Sequence, residues 1–459
     1  MMNKEHGKGL VLMILIILSI WQTGKLWLGD MSSLSFFAFP AQSKLQPFEP
    51  ESIWINPGAP VTLIYRLGEE NREYQSVRGE IEKDIRIYME EAIGHEAVPL
   101  DWEGILAKKG ILYQYPMPIT FGEMIGSNQQ SPPKGISITD KIDYVFMQLS
   151  DETSGMGKWY LISTEENKSC FIEVKGQFEN MKAFNGLLTE ESLSYKVKYQ
   201  PTFNMSSISS KNLFLPIASE TAPLPYTILE WRNPLEGEDD LNKFNPYINH
   251  YFLNPLLKKE EITNDGTYIF SELMRVVVKY YPTTGVFEYT NIGVADTKQK
   301  VSRLEAYNTA KNFLFNNDSI SKEIKKELFL ANIEETSGEY IISFNMRMGG
   351  IPVHLSKEIR EASGMDYMAQ ITVKGAEVSH FKWNASELEP KKGGSALEIG
   401  EFVEKYNTGI NKVLEYVASQ EDIQTLAIED MKWVYIVNEK EQDVHVRWIV
   451  RHGGEWYSP

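Results

Sequence analysis

The side chains most able to do acid–base chemistry in this chain of 459 residues are its 63 carboxylates and seven histidines. A glycosidase needs two carboxylates facing each other across a cleft. The acidic pairs fall instead on the solvent face of a predicted helix or in predicted turns: Glu82/Asp84, Glu90/Glu91 and Asp239/Asp240. No HExxH motif occurs, and no two histidines fall on one helical turn, so the zinc spacing is missing.

Other catalytic patterns are also missing from the sequence. It contains no GxxxxGK[ST] loop, no strand–GxGxxG–helix unit and no GxSxG elbow. The single cysteine, Cys170, lies between a polar run and Phe171-Ile172, so we predict a core or half-buried residue and not a nucleophile. We therefore expect no catalytic residues, no metal site, no cofactor and no enzymatic activity.

The net charge of −17 limits the classes of partner that the protein can bind. An acidic surface repels phosphate backbones, and no basic stripe interrupts it, which argues against nucleic acid. Hydrophobic content of 42% is ordinary for a globular chain able to bury a large core.

Residues 9–29 form the one stretch suited to crossing a membrane. Leu10 to Trp21 is apolar except for Ser19. A helix of about 21 residues, rising ~1.5 Å per residue, spans a hydrocarbon core of ~30 Å. Lys4 and Lys8 precede the stretch, which predicts a cytoplasmic N-terminus and an extracytoplasmic remainder. The alternative is a cleaved signal peptide, but the candidate cleavage stretch at 38–41 lies far beyond the apolar run.

The helices and strands predicted from the sequence pattern indicate an α+β fold with antiparallel sheets. The predicted division is a cytoplasmic tail, a transmembrane helix, a linker, an N-terminal α+β domain, a middle β-rich domain and two helix-plus-sheet units. Their bounds are 1–8, 9–29, 30–50, 51–188, 189–295, 296–390 and 391–459. In the N-terminal domain we expect an amphipathic helix over 74–92 and a short helix around Trp102. A strand over 111–115 is expected to end at Pro116 and Pro118.

The last two units look like an internal duplication. Ser302 with Glu305, and Ser395 with Glu398, each fit a capping box. Helical apolar spacing follows each box, and strand patterns follow each helix. The first helix uses Leu304, Tyr307, Ala310 and Leu314. A capping box is a common local signal, so coincidence stays open.

Two stretches resemble the YycH family, the extracytoplasmic regulators of the WalK/WalR cell-wall two-component system. Residues 102–125 resemble its Trp–helix–strand–Pro–Phe pattern, and residues 264–291 resemble its strand–turn segment with the aromatic "EY" ending. The layout of short basic N-terminus, one helix and a large outer region is also similar.

The resemblance implies a membrane-anchored, non-enzymatic regulator of a sensor histidine kinase. Its implied partners are a WalK-like kinase and a YycI-like protein, reached through the transmembrane helix and the outer domain. Ser19, Thr23 and Gly24 are the partner-facing candidates, since small and polar residues let helices pack closely in lipid. The alternatives are an exported binding module for cell-wall polymer or another envelope ligand, and an exported enzyme with an unrecognised carboxylate site.

Overall fold

The computed structural model describes residues 45–58, 64–66, 93–127, 141–148, 156–175, 198–202, 214–217, 227–273, 275–294, 300–391, 411, 412, 415, 419, 429–438, 441–452 and 455–457. The strands are β1 (Ser52–Asn56), β2 (Ile64–Arg66), β3 (Ile93–Gly94), β4 (Val98–Pro99), β5 (Gly110–Ile119), β6 (Ile142–Gln148), β7 (Met156–Ser163), β8 (Lys168–Lys175), β9 (Lys198–Pro201), β10 (Phe214–Ile217), β11 (Leu229–Arg232), β12 (Lys259–Ile262), β13 (Tyr268–Glu272), β14 (Val276–Tyr281), β15 (Val286–Asn291), β16 (Leu328–Thr336), β17 (Glu339–Met348), β18 (Ile351–Leu355), β19 (Ala369–Lys374), β20 (Glu377–Asn384), β21 (Glu387–Pro390), β22 (Asp430–Asn438), β23 (Glu441–His452) and β24 (Glu455–Tyr457). The α-helices are α1 (Trp102–Leu106), α2 (Phe121–Ile125), α3 (Asn245–Ile248), α4 (Arg303–Phe315), α5 (Lys322–Glu327) and α6 (Lys357–Ser363).

The described strands form two sheets. The first has the order β10-β9-β2-β1-β5-β6-β7-β8-β3, with β4 also on β8, and every pair in it is antiparallel. The second has the order β12-β13-β14-β15-β20-β19-β17-β18-β22-β23-β11-β21, with β16 on β17 and β24 on β23. The predicted α+β class with antiparallel sheets is confirmed for this part of the chain.

The second sheet contains two pairings that the sequence did not indicate. β15 pairs with β20, so hydrogen bonding continues from residues below 295 into the following unit. β18 pairs with β22 in parallel, joining residues on either side of 391. The sheet thus runs across two predicted domain boundaries, and the division itself stays a prediction.

The expected end of the strand at Pro116 was wrong. β5 continues to Ile119, through both prolines. Its pairing with β6 stops at Gln114 and resumes at Ile119, so the prolines lie in an irregular stretch outside the ladder. Proline lacks an N–H donor, and a bulge is one of the few places where a strand tolerates it.

The central strands of the first sheet are buried on both faces, so that every residue of β1 is buried. Ile53 and Ile55 belong to the larger apolar cluster, which also includes residues of the second sheet. Trp54, between them, points to the other face and packs with Trp102 of α1 in a separate cluster. One core therefore continues between the two sheets.

The predicted first helix of the duplicated units is confirmed as α4. Ser302 and Glu305 form the reciprocal capping box, and the predicted core residues of the helix are all buried. The helix lies on β17, β19 and β20. The second predicted box, at Ser395, lies outside the described residues, so the duplication stays a prediction.

Residues 9–29 and the predicted helix over 74–92 also lie outside the described residues. Among the helices that the structure does describe, none has the length and hydropathy needed to cross a membrane.

Candidate functional site

The connecting segment, residues 45–51, is the part of the described chain nearest the predicted anchor, and it leads into β1. The amide of Phe48 donates to the carbonyl of Glu123 in α2 at 3.1 Å, and the amide of Glu51 donates to the carbonyl of Gln114 in β5 at 2.7 Å. Phe48 is only 2% exposed. The connecting segment is therefore hydrogen-bonded to the first sheet and its helix.

Three of the seven residues also contact α4, the helix that packs on the second sheet. The amide of Gln46 donates to Asn308 Oδ1 at 2.7 Å, and Asn308 Nδ2 donates back to the carbonyl of Gln46 at 3.0 Å. The ring of Phe48 meets that of Tyr307 edge-on, with centroids 4.9 Å apart. One turn further along α4, Lys311 forms an ion pair with Glu49. Backbone, aromatic and charged contacts thus hold the segment between the two sheets.

A half-buried ion pair between α2 and α4 lies beside the connecting segment. Arg303 Nε donates to Glu123 Oε1 at 2.7 Å, and Arg303 Nη2 donates to Glu123 Oε2 at 2.5 Å and to the carbonyl of Pro118 at 3.0 Å. Glu123 Oε2 also accepts from the amide of Thr120 at 2.7 Å in the capping box of α2. Planar guanidinium and carboxylate groups matched in this way fix orientation as well as distance.

Three charged side chains meet at the end of the connecting segment. Lys432 Nζ lies 3.0 Å from Glu51 Oε1 and 3.2 Å from Asp430 Oδ2. Burial raises the pKa of Asp430; Lys432 opposes that rise and Glu51 adds to it. Burial alone would lower the pKa of Lys432, but Asp430 and Glu51 more than offset it and raise the pKa. The lysine therefore remains charged between the two carboxylates, joining β22 to the connecting segment.

A buried arginine, Arg347, completes this set of contacts. We call the connecting segment together with Glu123, Arg303, Asn308, Lys311, Arg347 and Lys432 the junction. Arg347 in β17 is 1% exposed, its guanidinium lies 3.7 Å from the ring centroid of Phe329, and its Nη2 donates to the carbonyl of Glu51. Stacking on an aromatic face suits guanidinium, which is weakly hydrated and planar. The junction can transmit a change in the position of the connecting segment to both sheets, because each sheet has directional contacts with it.

Some of the residues singled out from the sequence lie in the described part of the chain, and others lie outside it. Ser19, Thr23 and Gly24 lie outside the described residues and remain predictions. Cys170 is confirmed as a core residue, 1% exposed on β8. His380 lies on β20, with Nδ1 3.2 Å from the hydroxyl of Thr290 and Nε2 3.3 Å from Glu288 Oε1. Within the described ranges, no three His, Cys, Asp or Glu side chains come together in a way that could hold a metal ion.

The sequence did not indicate the junction. The aromatic and proline content of residues 30–50 predicts a linker there. The one local signal was the capping box at Ser302, which predicted α4 and placed Arg303 at its first turn. That signal does not indicate that Arg303 pairs with Glu123, which lies 180 residues earlier in the chain.

Comparison with known proteins gives one informative match. No protein-family model matches the sequence, and no curated protein matches it. The structure is similar to the crystal structure of YycH from Bacillus subtilis, with a TM-score of 0.53 over 90% of this chain and 96% of that one, at 14% identity. An uncharacterized protein from Eubacterium rectale gives a TM-score of only 0.31 at 13% identity, over 57% of this chain and 88% of that one.

The two sheets and their helices therefore define an α+β protein with a YycH-like fold. The resemblance to the YycH family is confirmed at the level of the fold. The stretches 102–125 and 264–291, on which the sequence resemblance rests, form α1–β5–α2 and β13–β14–β15.

Proposed function

We propose that this protein is a membrane-anchored, extracytoplasmic, non-enzymatic regulator that modulates a sensor histidine kinase by direct contact. The observation that carries the proposal is the YycH-like fold over 90% of the chain. It is supported by the predicted anchor at 9–29 and by the empty search of the sequence for catalytic motifs.

The junction supplies a physical route for regulation. A kinase that packs on the anchor shifts the chain entering at Leu45, and the connecting segment contacts both sheets within the next six residues. A regulator can bias a kinase only if it binds two signalling states with different affinity. In this proposal the anchor and the outer sheets bind the kinase together, and the junction keeps them in a fixed relation.

The decisive experiment is photo-crosslinking of the full chain in intact cells, followed by identification of the captured membrane proteins. We expect a sensor histidine kinase, and a capture that repeatedly contains no kinase would overturn the proposal. Retention of the full chain on isolated wall material, with no kinase captured, would favour the polymer-binding alternative.

A substitution in the predicted anchor tests the contact. Gly24→Leu should reduce kinase recovery about fivefold, since a leucine side chain prevents the close backbone approach that small residues permit and a loss of about 1 kcal/mol changes affinity by that factor. Gln22→Leu is the matched control, because it adds the same side chain about 160° away on the helical wheel. Equal recovery with both variants would exclude Gly24 from the contact.

A further inference from the structure

Five large apolar side chains gather in solvent at one end of the second sheet. This leucine cluster consists of Leu253, Leu256, Leu257, Leu273 and Ile292. Leu256 is 92% exposed and Leu273 is 83% exposed. Single exposed apolar residues are ordinary, but several on adjacent loops mark an interaction site.

Pairing in the sheet brings these residues together. Lys259 of β12 lies opposite Ser271 of β13, so the turn before β12 approaches the turn after β13. The carboxylate of Glu272 accepts from the amides of Leu253 and Asn254 at 2.8 and 2.7 Å. The amide of Ile292 donates to the carbonyl of Arg275 at 2.8 Å, which adds the end of β15.

The backbone at Leu273 indicates that its side chain has a role. Its φ is +49°, in the left-handed region. Glycine adopts this region readily because it has no Cβ, but a bulky residue such as leucine is an outlier there. Glycine or asparagine is the usual residue in such a turn. Because the side chain of Leu273 is 83% exposed, burial in the described chain does not offset this backbone strain.

We propose that the leucine cluster inserts into the lipid surface of the membrane that carries the predicted anchor. This inference rests on the anchoring that is part of the proposed function. The shape of the cluster is set by three separate segments, before β12, after β13 and after β15, each of which exposes apolar side chains. Such a shape suits a fluid apolar phase, as in interfacial anchors, better than the fixed surface of a folded partner.

The charges around the cluster fit a lipid surface. Lys259 follows the leucines and Arg275 lies in the turn beside Leu273, and both residues are exposed. The carboxylate of Glu272 is turned inward onto backbone amides, and the pair of Lys258 and Glu260, 3.0 Å apart, carries no net charge. Basic side chains beside inserted apolar ones attract anionic headgroups.

The length of chain between the predicted anchor and the described residues also allows the leucine cluster to reach the membrane. The connecting segment contacts α4 at Asn308, and Tyr251, two residues before Leu253, stacks on Phe313 of the same helix. A 13-residue helix is ~20 Å long, so both features lie at one side of the second sheet. Residues 30–44, between the predicted anchor and Leu45, can span up to ~50 Å when extended.

The test uses the full chain reconstituted in vesicles that contain anionic phospholipid and a lipid-borne quencher. Leu256→Cys and Leu273→Cys each carry an environment-sensitive fluorophore. Glu165→Cys, exposed on the turn between β7 and β8, is the matched control. The parent chain should take up no label, because its only thiol, Cys170, is buried.

We expect the labels at 256 and 273 to shift to the blue and to lose at least about half of their emission, since the probes then lie at the acyl boundary. The label at 165 should lose none. A blue shift without lipid quenching would indicate a protein contact and overturn the proposal, and so would the absence of both effects.

A label at Leu18→Cys separates this inference from the proposed anchoring. Quenching at 18 without quenching at 256 and 273 means that the anchor exists and the cluster does not insert. Absence of quenching at 18 contradicts the membrane anchoring itself, whatever the cluster does.

Discussion

The ion pair between Arg303 and Glu123 should couple the two sheets. Arg303→Met keeps most of the apolar stem but removes three charged hydrogen bonds, to Glu123 and Pro118. Removing one partner of a buried pair costs about 3–5 kcal/mol. Because the arginine side chain is still 28% exposed while that of Glu123 is 10% exposed, we expect about 2–3 kcal/mol here after screening.

A double-mutant cycle isolates the pair from other effects. Glu123→Gln also weakens the capping box of α2, and that cost cancels in the cycle with Arg303→Met. The free energy of unfolding comes from urea titrations of the full chain followed by tryptophan fluorescence. We expect a coupling energy of about 1–2 kcal/mol between the two side chains.

The control cycle is the exposed pair Lys357–Glu361 on α6, whose atoms are 3.7 Å apart and whose side chains are 75% and 70% exposed. It should give no more than about 0.5 kcal/mol. A coupling at Arg303–Glu123 no larger than that of the control would refute the reasoning. A change in the slope of the titration, or two transitions, would show that the sheets unfold separately once the pair is lost.

Three further predictions concern single positions. Phe48→Ala should cost about 3–4 kcal/mol of unfolding free energy because the ring is buried, whereas Phe315→Ala, 41% exposed, should cost less than about 1 kcal/mol; equal costs would contradict the packing of the connecting segment. Burial raises the pKa of Asp143 to about 6 despite hydrogen bonds from Thr164. The folded state then holds this proton more tightly than the unfolded state, so the stability present below about pH 4 declines by up to about 3 kcal/mol as pH rises through about 6. Urea titrations across that range should lose this decline in Asp143→Asn, and an unchanged profile would contradict it. Burial, with Arg360 and Lys432 nearby, lowers the pKa of His354 to about 4. The NMR resonances of its ring, assigned by comparison with His354→Gln, should therefore not titrate above about pH 5.5. Because the pKa of His354 is lower in the folded than in the unfolded state, the free energy of unfolding should decrease as pH falls below about 6.5.

Local sequence signals predicted the individual elements of the fold well. Apolar spacing and the capping box at Ser302 predicted α4, and the pattern around Trp102 predicted α1. These signals work because the periods of helix and strand are set by the backbone and are written within a few residues. The exception was β5, where a bulge formed with a partner strand accommodates the two prolines.

The sequence alone determined the elements, the buried cysteine, the acidic surface and the presence of one stretch long and apolar enough to predict an anchor. Only the tertiary structure decided which elements meet. Glu123 pairs with Arg303 across 180 residues, Glu51 pairs with Lys432 across 381, and β18 takes β22 as a parallel neighbour. Such contacts depend on the path of the chain, and no spacing within a short window records that path. The junction, where the chemistry of single residues carries the proposed regulation, therefore became visible only once the two sheets were packed together.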